Sequence, residues 1–151
     1  MSINRREEVL SRLLAILEGL DGFETVVRNR GLLDNDKFPG IVLLDGDETS
    51  TKLADGRGRQ RMSPVITAMH PQVFILLKTA QPTNENVGQN LNTRRGTIIG
   101  AISADAQLLA LIGPNGDITY DGCETDLKSG GAMVGEMRLD LTIKCVMNPN
   151  A

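Results

Sequence analysis

Apolar residues recur at three- and four-residue steps over residues 4–20, as Val9, Leu10, Leu13, Leu14, Ile16, Leu17 and Leu20. Arg5, Arg6, Glu7, Glu8, Arg12 and Glu18 fall mostly between them. That period predicts an amphipathic helix lying on a sheet. Ser2 or Asn4 is placed to cap its start, and Gly19 and Gly22 straddle its end. From residue 23 the pattern changes to strand. A first run ends in Arg28-Asn29-Arg30, and a second, Gly40-Ile41-Val42-Leu43-Leu44, is continuously apolar until it breaks into Asp45-Gly46-Asp47-Glu48. A half-exposed strand alternates, so an unbroken apolar run predicts a strand covered on both faces, with helices before and after it as the cover. The connection over residues 31–39 is polar and closes on Pro39, which fixes the backbone at the start of the second strand.

Residues 45–62 are the least core-like part of the chain. Asp45, Asp47, Glu48 and Asp55 are followed by Lys52, Arg57, Arg59 and Arg61 among glycines, and Leu53 is the sole large aliphatic residue. The composition predicts a long, mobile loop at about 46–62, either an arm that orders against a partner or a solvated hairpin tip. Strand character returns in Val65–Met69 and again over residues 73–77, with His70-Pro71 between them as a bulge or bend, because proline cannot donate to a ladder.

A second helix is expected from Thr83 or Asn84 to about Ile102, with Gly88, Gly96 and Gly100 permitting close packing and Arg94 and Arg95 projecting from its surface. A short third helix spans residues 105–112, capped by Asp105 and ended by Gly113-Pro114. Asn115-Gly116 then signals a turn, Ile118-Thr119-Tyr120 a short strand, and Gly130-Gly131 leads into a longer one. There Met137, Leu139, Leu141 and Ile143 point one way, and Arg138, Asp140, Thr142 and Lys144 the other. The elements together predict one α+β domain: a mixed, largely antiparallel sheet flanked by an N-terminal helix and a long central helix.

Composition narrows the function more than the fold. At 151 residues the chain is long enough to bury about 70% of its extended surface without a disulfide or metal. Three Phe, one Tyr and no Trp leave little for base-stacking platforms or aromatic-lined ligand pockets. A net charge of −3 argues against binding nucleic acid through bulk positive potential. Cys123 and Cys145 lack the spacing of a zinc site or disulfide framework and read as free thiols of a reducing cytoplasm. No signal peptide or bilayer-length apolar run is apparent.

Candidate chemistry is sparse. Asp34-Asn35-Asp36 resembles the opening of a calcium loop, but Pro39 stands where the turn glycine belongs and no glutamate closes it. His70 is the single histidine, which excludes catalytic triads and multi-histidine metal sites and leaves it as a turn or interface residue. Asp126-Leu127-Lys128, with Asp45 or Asp47, sketches half of a magnesium-dependent nuclease site, a spacing common by chance. Phosphate-binding loops, nucleophile elbows and dinucleotide fingerprints are absent from the sequence, so no catalytic residue, metal ligand or cofactor is assigned.

Taken in order, the first helix, Arg28-Asn29-Arg30, the 39–48 run PGIVLLDGDE, the 122–127 stretch and Gly135-Glu136-Met137-Arg138-Leu139 resemble the tail terminator (minor tail protein U-like) family of long-tailed bacteriophages. The likeness implies a structural virion protein, assembled in the host cytoplasm as a homo-oligomeric ring, a hexamer in that family. Such a ring sits at the head-proximal end of the tail, stops the tail tube protein, meets the head–tail connector protein and lets DNA pass its lumen without specific binding. It implies no cofactor and no membrane. Tail-completion or neck proteins that contact DNA are the neighbouring alternative. Asp45, Asp47, Glu48, Arg57, Arg59 and Arg61, with Arg94 and Arg95 on the second helix, are the expected interface residues, since opposite charges across an interface set its register.

Overall fold

In the computed structural model, residues 4–31, 37–53, 62–79, 84–128 and 133–149 are described. The axis of the fold is its longest strand, β7 (Met133–Met147), inside a seven-stranded sheet. Along one edge of β7 runs β6 (Asp117–Lys128), antiparallel, with a bulge between Tyr120 and Gly122. Along the other edge lie β5 (Gln72–Thr79) and β4 (Val65–Met69), each antiparallel to one half of β7. The pairs Gln72↔Asp140 and Met69↔Ile143 belong to a single register, so β4 and β5 are one long strand interrupted at His70-Pro71. Pro71 accepts from the Leu141 amide at 3.2 Å but has no N–H to return, and the ladder lapses there.

β2 (Gly40–Leu44) and β3 (Glu48–Lys52) repeat the arrangement one strand further out, pairing with β5 and β4. Leu44 stands opposite Gln72 and Glu48 opposite Met69, so Asp45-Gly46-Asp47 faces only His70-Pro71. The extra residue is a β-bulge, which bends the strand and lets His70 donate its amide to the Asp47 carbonyl at 2.9 Å. Gly46 adopts φ 70°, and a Cβ on it would lie 1.9 Å from the His70 carbonyl oxygen, so no side chain fits. β1 (Thr25–Arg28) completes the sheet as the parallel neighbour of β2.

Helices α1 (Arg5–Glu18), α2 (Asn84–Ala104) and α3 (Ala106–Ile112) supply the core on one sheet face, α2 and α3 meeting at a 59° bend. Val9, Leu13 and Leu17 of α1 and Val87, Leu91 and Ile98 of α2 meet Ile41, Leu43, Val73, Ile75, Leu139 and Leu141 from alternate positions of the strands. The fold is the expected α+β domain with a mixed, mostly antiparallel sheet. No single described helix is long and apolar enough to cross a membrane.

Four local expectations are corrected. β2 is buried, yet helices cover only one of its faces; on the other, Val42 is shielded beside Phe74 and Leu76. The predicted loop at 46–62 begins as a strand, because β3 gains a full antiparallel partner in β4 even though all five of its residues are exposed. β6 extends far beyond residues 118–120, with Glu124 and Asp126 on the outer face and its bulge absorbing Gly122. Finally, a Cβ on Gly88, Gly96 or Gly100 would meet open space; the close approach of α2 to the sheet occurs at Gly135 of β7, where a Cβ would come within 2.4 Å of Val87.

Candidate functional site

Three features stand out: a charged clamp at the bulge, an exposed wing beyond it, and a cleft on the sheet face that no helix covers. The clamp follows from the bulge. Arg28, on the helix-facing side of β1, donates from Nε to Asp45 Oδ1 at 2.7 Å and from both terminal nitrogens to Glu7 of α1 at 2.8 and 2.9 Å. Asn29 sits in the left-handed region at φ 54° and accepts the Asp45 amide through Oδ1 at 3.0 Å, while Arg6 donates to the Gly46 carbonyl at 2.9 Å. One guanidinium thus ties helix, strand and bulge together by forked, charge-assisted bonds. The Arg28 bonds, helped by Ser11, hold the Glu7 carboxyl at about 2, and the same guanidinium lowers Asp45 against the opposing effect of burial. Arg28 itself is raised by both carboxylates.

The wing is the β3–β4 half of the sheet. Helices pack on β1, β5, β6 and β7, whereas β3 is exposed on both faces and its outer edge carries no described strand. At its tip the Leu53 amide donates to the Pro64 carbonyl at 3.0 Å. Leu53 is 51% exposed and Met62 68%, two of the three large apolar side chains left in water among the described residues.

The cleft lies on the opposite side of the sheet from the helices. Its apolar part, about 220 Å³, is lined by Val42, Leu44, Phe74 and Leu76 with Arg30 and Glu136 at its margins. Phe74 and Glu136 also border a polar hollow of about 440 Å³ that adds Glu124, Thr125, Asp126 and Arg138. Arg138 is drawn to Asp140 at 3.0 Å and to Glu124 at 3.1 Å, and Asp126 stands directly across from Glu136 in the ladder. Carboxylates outnumber guanidinium groups in the hollow.

The residues singled out from sequence are scattered. Asp45 belongs to the clamp, Asp47 contributes its carbonyl to the bulge, and Glu48 opens β3 in solvent. Arg57, Arg59 and Arg61 lie outside the described residues. Arg94 and Arg95 do not project freely: Arg94 lies over the Phe23 ring at 4.8 Å and donates to the Gly22 carbonyl, and Arg95 lies over Tyr120 at 5.0 Å and donates to its hydroxyl at 2.9 Å. Both fasten α2 to its neighbours. Such cation–π seats follow from tertiary packing and leave no mark in the sequence. Asp105, at the N-cap of α3, meets Arg12 of α1 at 2.8 Å, and that ion pair, with a smaller contribution from the Gln107 and Leu108 amides, keeps its carboxyl low. His70 Nδ1 is 3.2 Å from Thr142 Oγ1 at the strand break.

The nuclease arrangement fails on distance. Asp126 is level with Gly40 across β6, β7, β5 and β2, so Asp45 lies three strand spacings, about 14 Å, sideways and five residues, about 16 Å, along. The two backbone positions are thus about 20 Å apart, too far for their carboxylates to share a metal ion. Among the described residues no group of three His, Cys, Asp or Glu is placed to hold one. Cys123 is exposed and Cys145 buried, both as free thiols. The residues the sequence reading passed over are Glu7, Phe74, Glu124 and Glu136. The alternation of β7 with β5 was the available signal for Phe74 and Glu136, which fall on the positions opposite to the core set.

No protein-family model matches the chain, and no curated protein is detectably similar to it.

Proposed function

We propose that this chain is a structural assembly subunit, a tail terminator of a long-tailed bacteriophage that closes into a ring at the head-proximal end of the tail tube and there meets the head connector. The observation that carries this reading is the division of the sheet. A helix-backed body continues, strand for strand, into a wing whose edge strand β3 is exposed on both faces and whose tip presents Leu53 and Met62 to water. Exposed edges and apolar tips are aggregation hazards in a monomer and contact surfaces in an assembly. The proposed interface residues are Asp47 of the bulge and Glu48 of the wing, together with Arg57, Arg59 and Arg61. Asp45, Arg94 and Arg95 act instead within the subunit, as the clamp and the seats of α2. The ordered resemblance from the first helix to the Gly135–Leu139 stretch favours the terminator over other oligomers.

Native mass spectrometry and electron microscopy of the purified chain, alone and with tail tube subunits, test the proposal. Closed rings of one stoichiometry are expected. Monomers under both conditions overturn it.

A further inference from the structure

Resting on that reading, we propose that residues 53–62 of one copy dock in the uncovered-face cleft of the next copy. Leu53 and Met62 meet the apolar floor of Val42, Leu44, Phe74 and Leu76, and Arg57, Arg59 and Arg61 meet Glu124, Asp126 and Glu136.

The two surfaces match in two independent ways. The segment LADGRGRQRM carries an apolar side chain at each end and three arginines against one aspartate between them. The cleft carries an apolar cavity with Arg30 at its margin, joined through Phe74 and Glu136 to a hollow with three carboxylates against one guanidinium, so acidic groups outnumber basic ones three to two over the whole cleft. Arginine forks suit paired carboxylates, and burying two exposed apolar side chains adds a non-directional attraction.

Reach decides that the occupant comes from a second copy. The segment leaves and returns at one point, because Leu53 is bonded to Pro64. Leu53 is thereby fixed at the end of the wing, level with Pro64. From Pro64 to Gln72, the residue opposite Leu44 at the near end of the cleft, the strand runs about 26 Å at about 3.3 Å per residue. A leucine side chain is several times shorter than that, so Leu53 cannot enter the cleft of its own subunit but can enter a neighbour's. Donor tip and acceptor cleft are different surfaces of one chain, so the contact is heterologous and propagates head to tail until a ring closes.

The test is a charge exchange between full-length variants. One carries R57E, R59E and R61E, the other E124K, D126K and E136K, each first checked for a wild-type circular dichroism spectrum and melting curve. Alone, each should need more than about tenfold higher concentration to assemble than wild type. Mixed in equal amounts they should assemble near the wild-type concentration, because the reversed tip of one then faces the reversed cleft of the other. Assembly of the tip variant like wild type overturns the docking while leaving the ring reading intact. A tip variant that fails both alone and in the mixture shows the tip docking elsewhere and overturns the assigned cleft. A wild-type chain that stays monomeric, alone and with tube subunits, removes both proposals together.

Discussion

The body and the wing share strands but not chemistry. β2 and β3 are two halves of one strand on either side of the Gly46 bulge, yet one half reads GIVLL and is almost entirely buried, and the other reads ETSTK and is wholly exposed. β5 contributes Val73, Ile75 and Leu77 to the core, whereas β4 buries only Thr67 and Met69. Helical cover ends near the bulge, and with it the requirement for apolar side chains. The backbone ladder alone carries the sheet onward, which shows that strand pairing and core burial are separable in this fold: the body holds the core, and the wing is paired but exposed.

Substitutions should respect that division, and the largest effect belongs to the body. Leu139 is fully buried at the centre of β7, and Leu139→Ala is expected to cost about 2–5 kcal/mol in denaturant unfolding. A cost below about 1 kcal/mol would show that the core is not where stability resides. Next comes the boundary itself. Gly46→Ala forces a Cβ onto the His70 carbonyl at a positive φ, for about 2–3 kcal/mol and a visible loss of melting cooperativity. A neutral result would mean that the bulge does not fix the two halves.

Arg28→Ala should follow at about 1–2 kcal/mol near neutral pH, since it leaves Asp45 only one-fifth exposed without its cation. The sign of its pH dependence is defined. Glu7 titrates lower in the folded chain, at about 2 against an ordinary value of 4.5, so its stabilisation is complete above about 4.5 and disappears as pH falls towards 2. Asp45 shifts in the same direction. Wild type should lose stability across that window more steeply than Arg28→Ala, and parallel acid profiles would break the clamp assignment. Smallest of all, Ser50→Ala in the wing should change stability by less than about 0.5 kcal/mol. A larger cost would mean that the wing is part of the folding core.

Much of the body was legible in the sequence. The three-and-four spacing from Val9 to Leu17 and from Val87 to Ile102 marked α1 and α2, the alternation of Met137 to Ile143 assigned both faces of β7, and His70-Pro71 announced the strand break. These signals are local periods imposed by one large core. In the wing β4 was legible as Val65–Met69, but β3 was not, because it has no buried face and therefore no period, and its strand state depends on β4 alone. The cleft was hidden for a different reason: Val42, Phe74 and Glu136 come from separate strands, and only the sheet register brings them together. Arg94 and Arg95 read as surface charge, since nothing in a helical pattern tells that a guanidinium will lie on Phe23 or Tyr120.

Hydrogen–deuterium exchange compared between monomer and assembly tests most directly the claim that the wing is the element the body holds out to a neighbour. On assembly, slower exchange is expected over Glu48–Lys52, the tip at Leu53 and Met62, and residues 124–126 with 136, while α1 and β2 stay as they were. Unchanged exchange in the wing, with new protection confined to the helices, would contradict the account.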